Sequence, residues 1–166
     1  MTIRSNTPNL LDNPPVPVQA KLAAAWTSLM FLYVYVDILA FFKPGTIEDL
    51  LVGVVWEFDI SQSMMTVFLT LMAIPIFMVV LSMTLPARSN RITNLIVASV
   101  QVPFAAFNAV GESWTYFYGL GVALEMIVLA LILRCAWTWP RTAPAAAMAT
   151  MATSPDREAD RAQQQA

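Results

Sequence analysis

Residues 64–85, MMTVFLTLMAIPIFMVVLSMTL, contain no charged side chain and decide the class of fold. A helix rises about 1.5 Å per residue and needs about 20 residues to cross a hydrocarbon core of about 30 Å. This stretch is long enough to do so. Because backbone N–H and C=O groups find no water inside a bilayer, a span of this kind must be helical. We therefore predict a transmembrane helix over residues 64–85.

Three further apolar runs of similar length lie on either side of the first, over residues 22–42, 92–111 and 114–137. Charged residues make up only 12% of the chain, about half the share found in soluble domains. Those charges gather between the apolar runs, which is typical of a multi-pass membrane protein. The predicted fold class is all-α, a four-helix transmembrane bundle over residues 21–139 that has the lipid bilayer as its surroundings.

The two ends of the chain have a different composition. Residues 1–20 contain four prolines and show no apolar periodicity, and residues 140–166 are rich in Ala, Thr, Gln and charge. Such segments bury too little apolar surface to offset the entropy lost on folding. We predict that both terminal segments are disordered.

The distribution of Lys and Arg predicts the orientation, because cytoplasmic loops carry an excess of these residues. The loop that follows the first span contains Lys43, and the turn after the third span contains none. All other basic residues lie at the termini or in the loop between the second and third spans: Arg4, Lys21, Arg88, Arg91, Arg134, Arg141, Arg157 and Arg161. We therefore predict a multi-pass protein of the cell inner membrane with both termini cytoplasmic.

The loop between the first two spans contains a second periodic pattern. After Pro44 and Gly45, apolar residues recur at helical spacing at Ile47, Leu50, Leu51, Val54 and Val55. This pattern predicts a short amphipathic helix over residues 47–56 that lies on the outer membrane surface. Such a helix would serve as a cover over the bundle or as a gate over a cavity.

Two ionisable residues fall inside the predicted spans, Asp37 in the first and Glu125 near the middle of the fourth. A charge within a span usually faces the bundle interior or water, because exposure to lipid is costly. In the third span, Asn94, Gln101 and Asn108 recur every seven residues and so share one helix face. These amides would act as hydrogen-bonding contacts between helices, or as the lining of a polar cavity.

Depth along the helices indicates which polar residues meet. Gln101 and Glu125 lie at equal depth, so we predict a hydrogen bond between them. Glu125 would then be a protonated structural residue, or it would bind a proton or a cationic ligand. The candidate ligand-binding residues are Tyr33, Asp37, Gln101, Asn108, Tyr118 and Glu125.

Several classes of function find no support in the sequence. The chain has no histidine and one cysteine, Cys135, which removes the commonest metal ligand and any intramolecular disulfide. No catalytic, metal or nucleotide motif occurs, and no basic patch indicates nucleic acid binding. We predict a protein that is not an enzyme and that has no catalytic residues, no metal site and no cofactor.

Residues 26–45 read WTSLMFLYVYVDILAFFKPG, with a Tyr-x-Tyr-x-Asp-Ile-Leu core and a Lys-Pro-Gly ending. In this stretch above all, the chain resembles a family of small, uncharacterised four-helix bacterial integral membrane proteins classed as a domain of unknown function. Further support comes from Ile60-Ser-Gln, Ala73-Ile-Pro-Ile and Arg88-x-x-Arg91-x-x-Asn94. The resemblance covers about residues 20–139, and the long C-terminal tail departs from it. It implies a bacterial inner-membrane location and a four-helix layout, and it implies no activity.

Three functional hypotheses follow from these observations. The first is a non-enzymatic membrane protein whose polar interior binds a small molecule or stabilises a partner. The second is a proton-coupled small-molecule transporter that acts as a homo-oligomer. It loosely resembles four-helix multidrug exporters, but those have their acidic residue in the first helix and have short loops. The third is a membrane-embedded enzyme with Asp37 and Glu125 as an acid–base pair, although no nucleophile or metal site accompanies them.

Overall fold

The computed structural model describes residues 15–55 and 58–140, and these residues form five helices and one small hairpin. The helices are α1 (Val18–Ala40), α2 (Thr46–Leu51), α3 (Gln62–Thr84), α4 (Ala87–Phe107) and α5 (Thr115–Trp137). Strands β1 (Val54–Val55) and β2 (Phe58–Asp59) pair antiparallel. The predicted all-helical class is confirmed for the described residues, with the hairpin as a small addition.

Most of the two terminal segments predicted to be disordered, residues 1–14 and 141–166, lies outside the described residues. The boundary predicted at residue 21 is wrong, because α1 already begins at Val18. Pro17 is the N-cap of this helix, and its carbonyl oxygen accepts a hydrogen bond from the Lys21 backbone at 3.2 Å. Proline suits this position because a residue that precedes the first turn needs no N–H of its own.

Three of the helices, α1, α3 and α5, are long and apolar enough to cross a membrane. These are the features of a membrane protein. Helix α4 has a comparable length of 21 residues but a lower apolar content. Its polar residues Asn90, Asn94 and Gln101 all lie on its buried face.

The four long helices alternate in direction around a common interior. Helix α1 packs against α3 and α5, and α4 packs against α5. Helices α3 and α4 follow each other closely in the chain, yet they contact each other much less than the other neighbouring pairs do. We call the end that carries residues 41–61 and 108–114 the loop end. The opposite end, where α1 begins and α5 finishes, is the terminal end.

The loop after α1 differs from its prediction. The helix predicted over residues 47–56 ends at Leu51, and Val54 and Val55 instead pair with Asp59 and Phe58. Gly53 adopts a left-handed conformation with φ of 84°, which glycine tolerates and which turns the chain away from the helix. Two consecutive β-branched valines then favour the strand. Trp56 lies outside the described residues.

The bundle core has the seam pattern of packed antiparallel helices. In α1 the buried residues are Leu22, Trp26, Leu29 and Tyr33, which alternate at spacings of four and three residues. In α5 the corresponding face contains Gly121, Glu125, Leu129, Ile132 and Ala136. Large side chains such as Trp26 and Leu29 therefore fill the seam near the terminal end. Toward the loop end, the seam residues of α5 become smaller or more polar, as at Gly121 and Glu125.

Candidate functional site

Two side-chain hydrogen bonds join α1 to α4 through the bundle interior. The indole Nε1 of Trp26 donates to Oδ1 of Asn94 at 2.6 Å, and the Tyr33 hydroxyl donates to Oε1 of Gln101 at 3.2 Å. In both pairs the partners are 68 residues apart in sequence. A constant offset means that α1 and α4 run parallel with matched seven-residue repeats. Seven residues further along, the same repeat matches Ala40 with Asn108, and the alanine side chain has no polar group that could form a hydrogen bond.

The first of these bonds belongs to a buried polar cluster near the terminal end, formed by Trp26, Ser82, Asn90 and Asn94, all with 0% exposure. Asn94 Oδ1 also accepts from the Ser82 hydroxyl at 3.3 Å, and Asn94 Nδ2 donates to Asn90 Oδ1 at 2.6 Å. Asn90 Nδ2 donates to the Ser82 carbonyl at 2.6 Å. This cluster ties α1, α3 and α4 together, and its polar groups satisfy one another, which suits a structural role.

A cavity of about 550 Å³, the main cavity, occupies the loop half of the bundle. Its floor is formed by Tyr33 and Glu125, the lining residues of α1 and α5 that lie furthest from the loop end. Above them the α1 seam continues with Val36 and Ala40, which are smaller than Trp26 and Leu29. The full lining is Tyr33, Val36, Asp37, Ala40, Phe58, Phe68, Leu71, Met72, Phe104, Phe107, Asn108, Glu112, Tyr118 and Glu125.

Glu125 is the most buried ionisable residue on the cavity wall, at 2% exposure. Its Oε2 atom has no hydrogen-bond partner among the described residues. A buried carboxyl oxygen without a partner is costly, because burial removes the water that would otherwise bind it. Its electrostatic neighbours include Asp37 and Tyr33. This oxygen is therefore available to a group that enters the cavity.

Asp37 lies one helical turn above Tyr33 on α1 and remains accessible from the cavity. It shares the cavity wall with Asn108 of α4 and Tyr118 of α5. Although Asp37 and Glu125 lie at different positions along their helices, both line the same cavity, and the charge of Asp37 acts on Glu125. Aromatic and aliphatic side chains from α3 and α4 line the same cavity.

An ion pair at the loop end lies beside the mouth of the cavity. Lys43 Nζ and Glu112 Oε2 are 2.6 Å apart, and the Lys43 ammonium lies 5.8 Å from the centre of the Tyr118 ring. This pair joins the turn after α1 to the turn after α4. The hydrogen bond to Glu112 raises the pKa of Lys43 above its ordinary value. Glu112 and Tyr118 also line a second cavity of about 290 Å³ beneath α2 and the hairpin.

The main cavity has walls from all four long helices, and its weakest wall lies between α3 and α4. These helices are held together at the terminal end, where Asn90 binds the carbonyl of Ser82. Leu71 of α3, Phe107 of α4 and Phe58 of the hairpin all line the cavity. Because α3 and α4 contact each other so little, this wall offers the least obstruction to entry from the side of the bundle.

Comparison with known families identifies the family to which the chain belongs. Residues 17–146 match a family described as a family of unknown function (DUF6326). The chain belongs to this family. Comparison of this DUF6326 member with curated proteins and with solved structures finds no match. The match extends beyond Trp139, the last residue covered by the resemblance seen in the sequence, and it includes every residue of the main cavity.

Five of the six residues predicted to bind a ligand in this DUF6326 member line the main cavity: Tyr33, Asp37, Asn108, Tyr118 and Glu125. The sixth, Gln101, lies just below them at 6% exposure, bound to Tyr33. No hydrogen bond joins Glu125 to Gln101 among the described residues, so that predicted pairing is wrong. Residues at equal depth on two helices need not point toward each other. Here the Tyr33 hydroxyl, and not Glu125, binds the amide oxygen of Gln101. The binding role of the six residues stays a prediction.

Sequence reasoning missed much of the apolar wall, including Phe58, Phe68, Met72 and Phe104. In a membrane protein, aromatic residues at helical spacing look the same whether they face lipid or a cavity. Glu112 was also missed, because it lies in a turn outside the spans. Within the described residues, no group of three or more His, Cys, Asp or Glu side chains is arranged to hold a metal ion.

Proposed function

We propose that this protein crosses the inner membrane four times and binds a small amphipathic molecule in the main cavity. The observation that carries the proposal is Glu125, a buried carboxyl group whose Oε2 atom lacks a partner at the floor of a cavity of about 550 Å³. Cavities of roughly 300–1,000 Å³ that are mostly apolar and contain a few polar groups are typical of small-molecule sites. Asp37, Asn108 and Tyr118 supply the other polar groups.

The position of α4 in the bundle supports a fourth span. Helix α4 packs along α5, which is one of the three helices long and apolar enough to cross a membrane, and this contact supports a place for α4 in the same layer. Asn94 and Gln101, which reduce its apolar character, face the bundle interior and would not contact lipid. Arg88 and Arg91 belong to its first turn and reach the membrane boundary, where the Nε of Arg91 donates to the carbonyl of Ala136 at 3.2 Å.

Charge distribution supports an orientation with both termini in the cytoplasm and the loop end outside. Arg88 and Arg91 then lie on the cytoplasmic side, whereas Lys43 is the single basic residue between residues 41 and 61. Helix α2 would lie at the outer surface of the membrane, since Ile47 and Leu51 are 53% and 82% exposed. The main cavity would then open in the outer half of the bilayer.

A binding role is favoured over an enzymatic one by the character of the lining. Asp37 and Glu125 both line the cavity, and among the described residues no Ser, Thr or Cys side chain lines it to act as a nucleophile. The remaining lining residues are suited to contact with an apolar body. We propose that the protein binds its ligand without changing it covalently.

Transport is a second candidate, favoured by one observation. The bundle is filled at the terminal end by Trp26, Leu29 and the Asn94 cluster, and it is hollow at the loop end. Alternating access requires a site that opens to each side of the membrane in turn. This cavity, which contains a buried acidic residue, opens to one side. Proton movement into liposomes, coupled to uptake of a ligand and abolished by Glu125→Gln, would distinguish transport from simple binding. We propose that the transporting form would be a homo-oligomer.

The binding proposal can be tested by protection of a cysteine in the cavity. In a Cys135→Ala background, Ala40→Cys places a thiol on the cavity wall, and Phe31→Cys places one on the outer surface of α1, where Phe31 is 59% exposed. Protein in lipid nanodiscs is treated with methyl methanethiosulfonate in the presence of phenyltrimethylammonium, tert-butylbenzene or benzenesulfonate. We expect at least one of these probes to protect the thiol at position 40 saturably, with no effect at position 31. Protection at neither position, or equally at both, would refute binding in the cavity.

A further inference from the structure

We propose that the molecule bound in the main cavity is an organic cation, such as a quaternary or protonated amine with an apolar body. This inference rests on the proposed binding function and adds the chemical class of the ligand. It follows from three properties of the cavity wall, which are its charges, its aromatic rings and the arrangement of its acidic side chains, which does not suit a metal ion.

The charges on the cavity wall are of one sign. Asp37, Glu112 and Glu125 line the cavity, and within residues 15–55 and 58–140 no Lys or Arg does so. The nearest basic residue, Lys43, is paired with Glu112 at 2.6 Å and lies at the mouth. Asp37 and Glu125 therefore face the cavity without a cationic partner from the described part of the chain. An anionic ligand would meet repulsion from both carboxyl groups, whereas a cation would meet attraction.

Glu125 places this attraction at a defined position. Glu125 is 2% exposed, and its Oε2 atom has no partner among the described residues. Asp37 lines the same cavity, and its charge acts on Glu125. A cationic group near both carboxyl groups would offset the cost of burying Glu125, because a buried charge is tolerated when it is paired. The position between Asp37 and Glu125 is thus the predicted site of the positive charge.

The aromatic rings select an organic cation over an inorganic one. Six rings line the cavity, contributed by Tyr33, Phe58, Phe68, Phe104, Phe107 and Tyr118. Tyr33 and Phe104 meet edge to face, with ring centres 6.0 Å apart. Aromatic faces attract organic cations and also bury their carbon atoms. A metal ion such as Ca²⁺ needs six to eight oxygen ligands, and within the described residues no group of three or more His, Cys, Asp or Glu side chains is arranged to hold one.

The route into the cavity suits a molecule with an apolar body. Helices α3 and α4 contact each other less than the other neighbouring pairs do, and Leu71 and Phe107 on these helices line the cavity, so a ligand dissolved in the bilayer would enter laterally between them. A cation with an apolar body accumulates in the bilayer near its surface. Its charged group would then move inward toward Asp37.

The test uses probes that differ in charge and share their shape. Phenyltrimethylammonium and tert-butylbenzene are isosteres in which nitrogen replaces carbon, and benzenesulfonate supplies the opposite charge. With the cysteine at position 40, we expect saturable protection by the cation at a concentration at least about tenfold below that needed for the neutral or anionic probe. Asp37→Asn and Glu125→Gln should each raise the half-protecting concentration of the cation by about tenfold or more. The matched control Glu48→Gln, an exposed carboxyl group outside both cavities, should leave it unchanged.

The outcomes separate the two proposals. Protection by tert-butylbenzene or benzenesulfonate at least as strong as that by the cation would overturn the cationic class and leave binding in the cavity intact. No protection by any probe would overturn both. Because Glu125→Gln can also disturb folding, Asp37→Asn and the comparison of probes on the unaltered cavity provide independent evidence. Equal effects of Asp37→Asn and Glu48→Gln would contradict the assignment.

Discussion

The Tyr33 hydroxyl, at the floor of the main cavity, donates a hydrogen bond to Oε1 of Gln101 just below it at 3.2 Å. This bond occupies the amide oxygen that faces the bundle interior. Glu125 is therefore left to the cavity, and its Oε2 atom has no protein partner among the described residues. The Tyr33–Gln101 hydrogen bond thus joins α1 to α4 below the cavity, and the Glu125 carboxyl group remains available to a ligand inside the cavity.

Removing the Tyr33 hydroxyl should weaken the bundle by a small amount. Tyr33→Phe deletes one interhelical hydrogen bond and keeps the ring packed against Phe104. Hydrogen bonds between membrane helices contribute about 0.6 kcal/mol on average. We expect the free energy of unfolding in lipid–detergent mixtures to fall by about that amount. Tyr35→Phe is the control, because Tyr35 is 59% exposed, and an equal loss in both variants would contradict the role of the bond.

The Asn94 cluster should contribute more than a single bond. Asn94→Ala leaves the Trp26 indole N–H and the Ser82 hydroxyl buried without their acceptor. Each unsatisfied buried group costs about 1–3 kcal/mol, so the free energy of unfolding should fall by about 2 kcal/mol or more. The neighbouring Thr93→Ala serves as the control. A smaller loss for Asn94→Ala than for Tyr33→Phe, measured in the same unfolding assay, would show that the cluster is not a major contact.

Gly121 marks the closest approach of α5 to α1. A Cβ atom added there would lie 3.0 Å from Cγ2 of Val36, whereas Gly119 has nothing within 4 Å. We expect Gly121→Ala to lower the melting temperature in detergent, with a cost of about 1–3 kcal/mol typical of overpacking. Gly119→Ala should be neutral or slightly stabilising, since alanine favours helices. The double substitution Gly121→Ala, Val36→Ala should recover stability, and a lack of recovery would refute the proposed clash.

The Lys43–Glu112 ion pair predicts a loss of stability at alkaline pH. Because the hydrogen bond to Glu112 raises the pKa of Lys43, the folded protein holds this proton more tightly than the unfolded chain does. The contribution is therefore complete below the ordinary lysine pKa of about 10.4 and disappears as the pH rises through the higher value of the folded state. Its size should stay within about 1 kcal/mol, as expected for a pair near the surface.

This pH dependence is measured as the difference in unfolding free energy between the wild type and Glu112→Gln. The difference should be present at neutral pH and shrink as the pH rises beyond the ordinary lysine pKa of about 10.4 and through the higher pKa of the folded state. Lys21→Met, at an exposed lysine of α1, should not change the profile. A difference that persists unchanged at alkaline pH would show that Glu112 stabilises the loop end in some other way.

The proposed orientation can be tested with reporter fusions. Alkaline phosphatase, which is active outside the cytoplasm, should report activity when it is inserted at Gly53 and none when it is fused after Ala20 or Ala147. Green fluorescent protein should give the reverse pattern. The expectation rests on the distribution of Lys and Arg around the helices. Phosphatase activity at either terminal site would overturn the orientation.

The sequence predicted the long helices well because their apolar runs match the helix lengths within a few residues. It also predicted the interior face of α4, since Asn94 and Gln101 recur at a seven-residue spacing and are both buried. Judged by its composition alone, helix α4 is not apolar enough to be identified as a membrane span. The amide side chains that make its sequence polar are buried inside the bundle. The inward direction of those amides becomes visible only in the packed structure.

Two features could not be derived from spacing. The partner of Gln101 depends on how far α1 is rotated toward α4, and this rotation is determined by packing across the whole seam. The cavity itself depends on side-chain volume on several helices at once, since Ala40 leaves space only where no neighbouring helix fills it. The turn at Gly53 was detectable, because a glycine before two valines is a plausible end for a short helix.

The contrast between the filled terminal half and the hollow loop half has an electrical consequence in a membrane. If water or a ligand occupies the main cavity, the insulating layer is reduced to the terminal half, where Trp26, Leu29 and the Asn94 cluster exclude it. Most of the transmembrane voltage would then fall across this thin layer. A cation held at Asp37 would remain near the potential of the solution at the loop end. Its binding would respond weakly to voltage, whereas a charge that passed the layer at Trp26 would cross nearly the whole field.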